Sequence, residues 1–208
     1  MYFDSEIAPE GYVWIFEKGE SIANVGIATT ATDGVKRLDN FIQQKNIKGK
    51  VIHKTAGAIP YMGPLEKTYT DGVLIAGDAA GHTNPVFLGG ISTAMQTGRL
   101  AGKVASESLK VGDFSSKFLS RYQKQWKKMP LADKSLLKTA KVMRAFTPEK
   151  WEKMGELVGK SDVTNITTLG KIKVIIKVFS PKYWSLITVV PYMPTVMKAF
   201  SITRKWGW

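Results

Sequence analysis

Asp78 stands between a short apolar run, Val73 to Ala76, and a glycine- and proline-containing loop that leads into a long helix opening near Gly90. A carboxylate at the end of a strand accepts hydrogen bonds from sugar or ribityl hydroxyls. The small residues beside it, Gly77 and Ala79, let a ligand come close to the backbone. A helix that starts after Gly89-Gly90 offers unpaired N–H groups and a positive dipole end to electron-rich ligand atoms. The chemistry implied is recognition of a polyol and of a group that gathers negative charge.

Three aromatic residues alternate near the start, Tyr12, Trp14 and Phe16, behind Pro9. In a strand all three share one face, and Val13 and Ile15 share the other. Both faces are then apolar. Such a strand is either sandwiched in a core or has one face on an apolar ligand. Lys18-Gly19-Glu20 reads as a turn, and Ala23 to Thr29 as the returning strand. Its small residues, Gly26 and Ala28, leave room opposite the large rings.

Residues 74–95 resemble the second FAD fingerprint of the p-hydroxybenzoate-hydroxylase-like flavoproteins, and are most similar to the geranylgeranyl reductase branch. The residues that carry the likeness are Gly77, Asp78, Pro85, Gly89, Gly90 and Ile91. The resemblance implies FAD as cofactor, with Asp78 on the ribityl chain and the loop from Pro85 to Gly90 along the isoalloxazine ring. Leu88 departs, standing where that family has a glycine or another small residue. Pro9, Tyr12, Trp14 and Phe16 resemble the family's Pro-x-x-Tyr-x-Trp-x-Phe-Pro motif, with Glu17 in place of the closing proline. The resemblance makes Tyr12, Trp14 and Phe16 substrate-binding residues for a prenyl chain. The implied activity is reduction of C=C bonds in geranylgeranyl chains on isoprenoid lipids. No catalytic residue is assigned, and Tyr12 and His82 are the candidate proton donors. A related flavin monooxygenase or halogenase, and a flavin-free prenyl-lipid or membrane-binding module, are the alternative readings.

The elements that must hold these residues follow from pattern. Asp33 to Lys45 reads as a helix with Asp33 as N-cap and Val35, Leu38, Phe41 and Ile42 on one side. Lys50 to Ile59 reads as a strand ended by Pro60. Thr68 to Asp71 is the expected crossover, and Val73 to Ala76 the last strand of a flavin-domain sheet. The helix after Gly90 shows Ile91, Ala94, Met95, Gly98, Ala101, Gly102, Ala105 and Leu109 on one face, and ends at Gly112. Phe114, Phe118, Tyr122 and Trp126 recur every four residues, an aromatic packing stripe on the next helix. Thr147-Pro148 marks a further helix start.

The expected fold class is α+β. Residues 1–68 would form part of a substrate-binding domain, 69–113 the C-terminal piece of an FAD-binding domain, and 114–208 a basic helical region. The chain contains no Gly-x-Gly-x-x-Gly segment of the kind that holds the ADP half of FAD. The expectation is therefore the latter half of a flavoprotein, with an N-terminal half-chain as possible partner.

The chain has 208 residues and no cysteine, which excludes disulfides, thiolate metal sites and cysteine nucleophiles. Two histidines, His53 and His82, do not suggest a metal site. Charge is divided unevenly: residues 1–98 carry −2 and residues 99–208 carry +15. Lysines interleaved with bulky apolar residues suit an anionic membrane surface better than nucleic acid. Tyr183 to Met197 runs uncharged for 15 residues, broken by Pro191 and Pro194 and too short for a span. Trp184, Tyr192 and Trp206 are available as interfacial anchors. The expected location is cytoplasmic, at a membrane face.

Overall fold

The computed structural model describes residues 1–158 and 176–205. They fall into two units, each drawn from two stretches of chain: Met1–Ala56 with Val142–Pro191, and Gly57–Lys141 with Tyr192–Trp208. The class is α+β, with helices around two separate two-stranded antiparallel sheets.

In the first unit, the alternating segment forms β1 (Tyr12–Gly19), which pairs antiparallel with β2 (Ile22–Ala28). The turn falls two residues later than the pattern suggested, because Gly19 continues β1 at φ +143° and the register shifts there. Val13 faces inward and is buried with Ala8 and with Phe41 of α1 (Gly34–Gln44); Ile7, Ile15, Ile27 and Leu38 pack around them. The alternation thus sends Val13 and Ile15 to the core and turns the aromatic face away from it. Asp33 precedes α1 without capping it through its side chain; its carboxylate instead takes the Arg37 Nε–H at 2.6 Å. Val35, expected inside, is exposed. α5 (Pro148–Val158) and residues 176–190 form a second small core of Leu157, Val178 and Leu186.

In the second unit, β3 (Tyr69–Thr70) and β4 (Val73–Leu74) form a minimal hairpin. A 3-10 turn, Gly77–Ala80, follows, then α2 (Ile91–Val111), which ends at left-handed Gly112 as expected. α3 (Ser116–Trp126) is capped by the Ser115 hydroxyl, which accepts the Phe118 N–H. Its stripe of Phe118, Leu119, Tyr122 and Trp126 joins Leu100, Val104 and Leu131 in the largest core. Phe114 of the same series lies before the helix and is exposed. α4 (Lys134–Arg144) comes next, and α6 (Met193–Lys205) closes the described chain.

Two expectations are corrected. Lys50 to Ile59 is not a strand: no regular structure spans it, and Val51 and Ile52 are exposed. An apolar segment left unpaired does not persist as a strand in water. The buried face of α2 is Thr93, Thr97, Leu100, Val104 and Ser108, whereas Ile91, Met95 and Leu109 are exposed. The hydroxyls are buried cheaply because they bond locally: Thr93 to the Gly90 carbonyl, Thr97 to the Thr93 carbonyl, Ser108 to the Asp113 carbonyl.

The sequence reading at Tyr183 to Met197 is also extended. Pro181–Arg204 makes one helical run of 24 residues, long and apolar enough by length and composition to cross a membrane, with 22% of the window buried. Pro191 interrupts it.

Candidate functional site

The loop from Gly77 to Gly90 is held from beneath by α2 and α3. Gly77 takes φ +63°, and its N–H donates to Thr97 Oγ1 at 3.3 Å. A methyl group there would lie 3.2 Å from Ala94 Cβ, so only glycine passes this turn at such closeness. The Tyr122 hydroxyl donates to the Ile75 carbonyl at 2.9 Å, fixing the strand end just before the loop. Asp78 is exposed, and its Oδ1 accepts the Thr83 hydroxyl at 3.2 Å.

Gly90 precedes α2 as its N-cap and supplies no side-chain cap. A methyl at Gly90 would come within 2.6 Å of Asp78 Oδ1. The carboxylate therefore sits directly over bare backbone at the positive end of a helix. Pro85 is buried, Gly89 and Gly90 are half-buried, and Ile91 is 82% exposed beside them. Gly77, Asp78, Gly89, Gly90 and Ile91 are thus brought to one loop–helix junction, with Pro85 set into the loop as its anchor. The junction offers a hydroxyl-accepting carboxylate and the positive end of a helix next to accessible backbone. This fits the ribityl and ring half of a flavin.

Leu88 has φ +58°. The glycine-type backbone persists where the side chain departs from the pattern. The loop closes on itself through Asn84: its N–H donates to the Gly89 carbonyl, its carbonyl accepts the Leu88 N–H, and its side chain accepts the Val86 N–H. Asn84 Nδ2 also donates to Thr203 on α6 at 3.2 Å.

His82 is fully buried, its ring 4.7 Å from that of Trp126, and neither ring nitrogen has a hydrogen-bond partner among the described residues. Burial pushes its pKa down to about 4. A neutral, enclosed imidazole does not serve as a proton donor near neutral pH, so the sequence suggestion is corrected. The linkage is testable. The unfolded chain takes up this proton near pH ~6.5 while the fold resists it until about pH 4. The stability held above pH ~6.5 should therefore fall as pH drops toward 4. Urea midpoints across that range should decline less steeply in His82→Asn; parallel declines would show that other groups set the slope.

In the first unit, Tyr12, Trp14 and Phe16 line up on the outer face of β1, with ring centres 5.8 and 6.1 Å apart. Sequence reasoning missed how far the row extends. Phe3 lies 5.5 Å from Tyr12, Trp151 of α5 stacks on Phe3 at 4.7 Å, and Phe146 follows at 5.1 Å. No local signal marks these partners, because Trp151 is far from the hairpin in sequence. Burial raises the Tyr12 phenol above its ordinary value, so it stays protonated.

Trp14 is set by two contacts: its Nε1–H donates to Asn24 Oδ1 at 2.6 Å, and its ring lies on Gly26 across the hairpin. A methyl at Gly26 would come within 2.2 Å of that ring. Gly26→Ala should swing the indole away, costing about 1–3 kcal/mol and moving the Trp14 indole N–H resonance. An unmoved resonance with unchanged stability would refute the packing.

A family model described as the geranylgeranyl reductase catalytic domain matches residues 1–59. The chain is 35% identical over 183 residues to digeranylgeranylglycerophospholipid reductase 2 of Methanothermobacter thermautotrophicus, covering 84% of this chain and 46% of the relative. It is 39% identical over 169 residues to the digeranylgeranylglycerophospholipid reductase of Methanocaldococcus jannaschii, covering 77% of this chain and 43% of that protein. Among solved structures, a geranylgeranyl bacteriochlorophyll reductase-like protein from Thermoplasma acidophilum superposes with a TM-score of 0.70 at 27% identity, over 89% of this chain and 49% of that one. The chain spans about half the length of the relatives it matches.

Proposed function

We propose that this chain, as a member of the geranylgeranyl reductase family, serves the reduction of C=C bonds in geranylgeranyl chains of isoprenoid lipids, with FAD as cofactor. The observation that carries the flavin reading is the Asp78 carboxylate held over Gly90 at the start of α2. When bound, the reduced flavin supplies the hydride. Asp78 would accept the ribityl hydroxyls, and the first-turn N–H groups of α2 would favour negative charge on the ring. An isolated alkene develops no oxyanion, so the remaining work is orientation in a dry apolar space. The row Phe3, Tyr12, Trp14 and Phe16 would supply that surface.

The exposed face of α2, with Ile91, Met95 and Leu109, supports a partner surface for an N-terminal half that carries the pyrophosphate site. The test is reconstitution with that half taken from one of the archaeal relatives. Flavin should be retained by the assembly and not by this chain alone. Stoichiometric flavin on the 208-residue chain by itself would overturn this division of labour.

Peripheral attachment to a cytoplasmic membrane face belongs to the same proposal. In the first unit Phe179 and Trp184 are exposed, as are Lys177 and Lys182. Lysines at an anionic surface contribute about 1 kcal/mol each. Vesicle co-sedimentation should rise with anionic lipid, fall with salt, and weaken in Lys177→Glu combined with Trp184→Ala. Binding that resists salt would point instead to insertion of the Pro181–Arg204 run.

A further inference from the structure

A shallow cavity of about 430 Å³ in the second unit is lined by Lys127, Lys128 and Lys198, with Met129 and Ile202 among its apolar walls and Asp133 at its side. Asp133 holds the Lys198 ammonium at 2.6 Å. That pair neutralises one of the three lysines and leaves Lys127 and Lys128 facing a concave surface with apolar lining. Two ammonium groups beside thioether and aliphatic carbon form a receptor for an anion that carries an apolar stem.

The cavity is built on the same elements that hold the Gly77–Gly90 loop. Lys127 and Lys128 follow directly on Trp126, whose ring packs against His82 and whose Nε1–H donates to Thr68 at 2.8 Å. Ile202 precedes Thr203, which accepts the Asn84 side chain from the loop. Both walls of the cavity are therefore tied to the loop by buried contacts.

We propose that this cavity binds the phosphate of a glycerophospholipid headgroup. The inference rests on the reading above that the substrate is an isoprenoid lipid, and it adds the means of telling a phosphorylated lipid from a free prenyl alcohol. The lysines supply charge-assisted hydrogen bonds to the phosphate oxygens, and Met129 and Ile202 cover the glyceryl carbons.

The test uses the 208-residue chain and dihexanoylphosphatidylglycerol held below its micelle concentration, so that membrane partitioning does not contribute. Dihexanoylglycerol and inorganic phosphate are the comparison ligands, with binding read by equilibrium dialysis. Lys127→Gln with Lys128→Gln should weaken the phospholipid by roughly tenfold. The exposed pair Lys103→Gln with Lys110→Gln on α2 removes the same charge elsewhere and should leave binding unchanged. Equal affinity for dihexanoylglycerol would overturn the proposal. So would inorganic phosphate binding as tightly as the lipid, which marks a small-anion site. Equal losses from the two lysine pairs would reduce the effect to general surface charge and overturn it as well. Flavin and turnover play no part in this measurement. A reconstituted enzyme that fails to reduce prenyl chains leaves the headgroup result standing, and an active one whose chain ignores the phosphate refutes the headgroup site alone.

Discussion

Trp126→Ala should destabilise the second unit by about 3–5 kcal/mol, the range for removing a large buried aromatic. Trp126 is 2% exposed and shares a core with Leu100, Val104, Phe118, Leu119, Tyr122 and Leu131. Its loss opens a cavity there, removes the donor to Thr68 and withdraws the ring beside His82. Trp126→Phe keeps part of the volume and loses the hydrogen bond, so a smaller cost is expected. Urea unfolding followed by circular dichroism gives the comparison. A loss under about 1 kcal/mol in the alanine variant would mean that the core relaxes around the gap. The functional consequence is indirect: the loop that carries Asp78 rests on this core, so flavin retention should fall only as folding does.

Asp78→Ala should behave in the opposite way. Asp78 is exposed and, among the described residues, its carboxylate accepts one side-chain hydrogen bond, from the Thr83 hydroxyl, so stability should change by no more than about 0.5 kcal/mol. In the reconstituted assembly the variant should lose a charge-assisted contact worth about 1.5–3 kcal/mol, roughly a ten- to hundredfold rise in the flavin Kd. Asp78→Asn keeps an acceptor without the charge and should fall between. Quenching of flavin fluorescence on binding measures the series. Unchanged affinity in Asp78→Ala would remove the fingerprint assignment, whatever the activity.

How legible these features were depended on how local their causes are. The β1–β2 hairpin was readable because alternation and a turn lie within a single stretch. The α3 stripe was readable because Phe118, Tyr122 and Trp126 repeat every four residues. The face of α2 was misread for a physical reason. Ile91, Met95 and Leu109 look like a buried apolar stripe, yet the face that packs carries Thr93, Thr97 and Ser108, whose hydroxyls are satisfied by nearby carbonyls. Side-chain polarity is a poor guide to burial when the helix backbone itself accepts the hydrogen bond. Lys50 to Ile59 was misread because a strand-like segment ended by a proline does not specify a partner edge. Gly77, Asp78 and Gly90 were found as a pattern; that the Asp78 carboxylate lies on the Gly90 backbone required coordinates. Phe3 and Trp151 were beyond reach, since nothing in sequence links a residue near the start to a helix well past the middle.

The hydrogen bond from Asn84 to Thr203 joins residues 119 positions apart. Closing so long a loop is entropically slow compared with forming the hairpin or the helices, whose contacts are local. During synthesis the N-terminal part of a chain emerges first, so the Gly77–Gly90 segment leaves the ribosome long before its anchor on α6 exists. The hairpin can be complete while this segment still lacks that tether. Its arrival is thus a late folding event, and truncation of α6 would leave the segment held by α2, α3 and the bond from the Leu65 N–H to the Ala80 carbonyl.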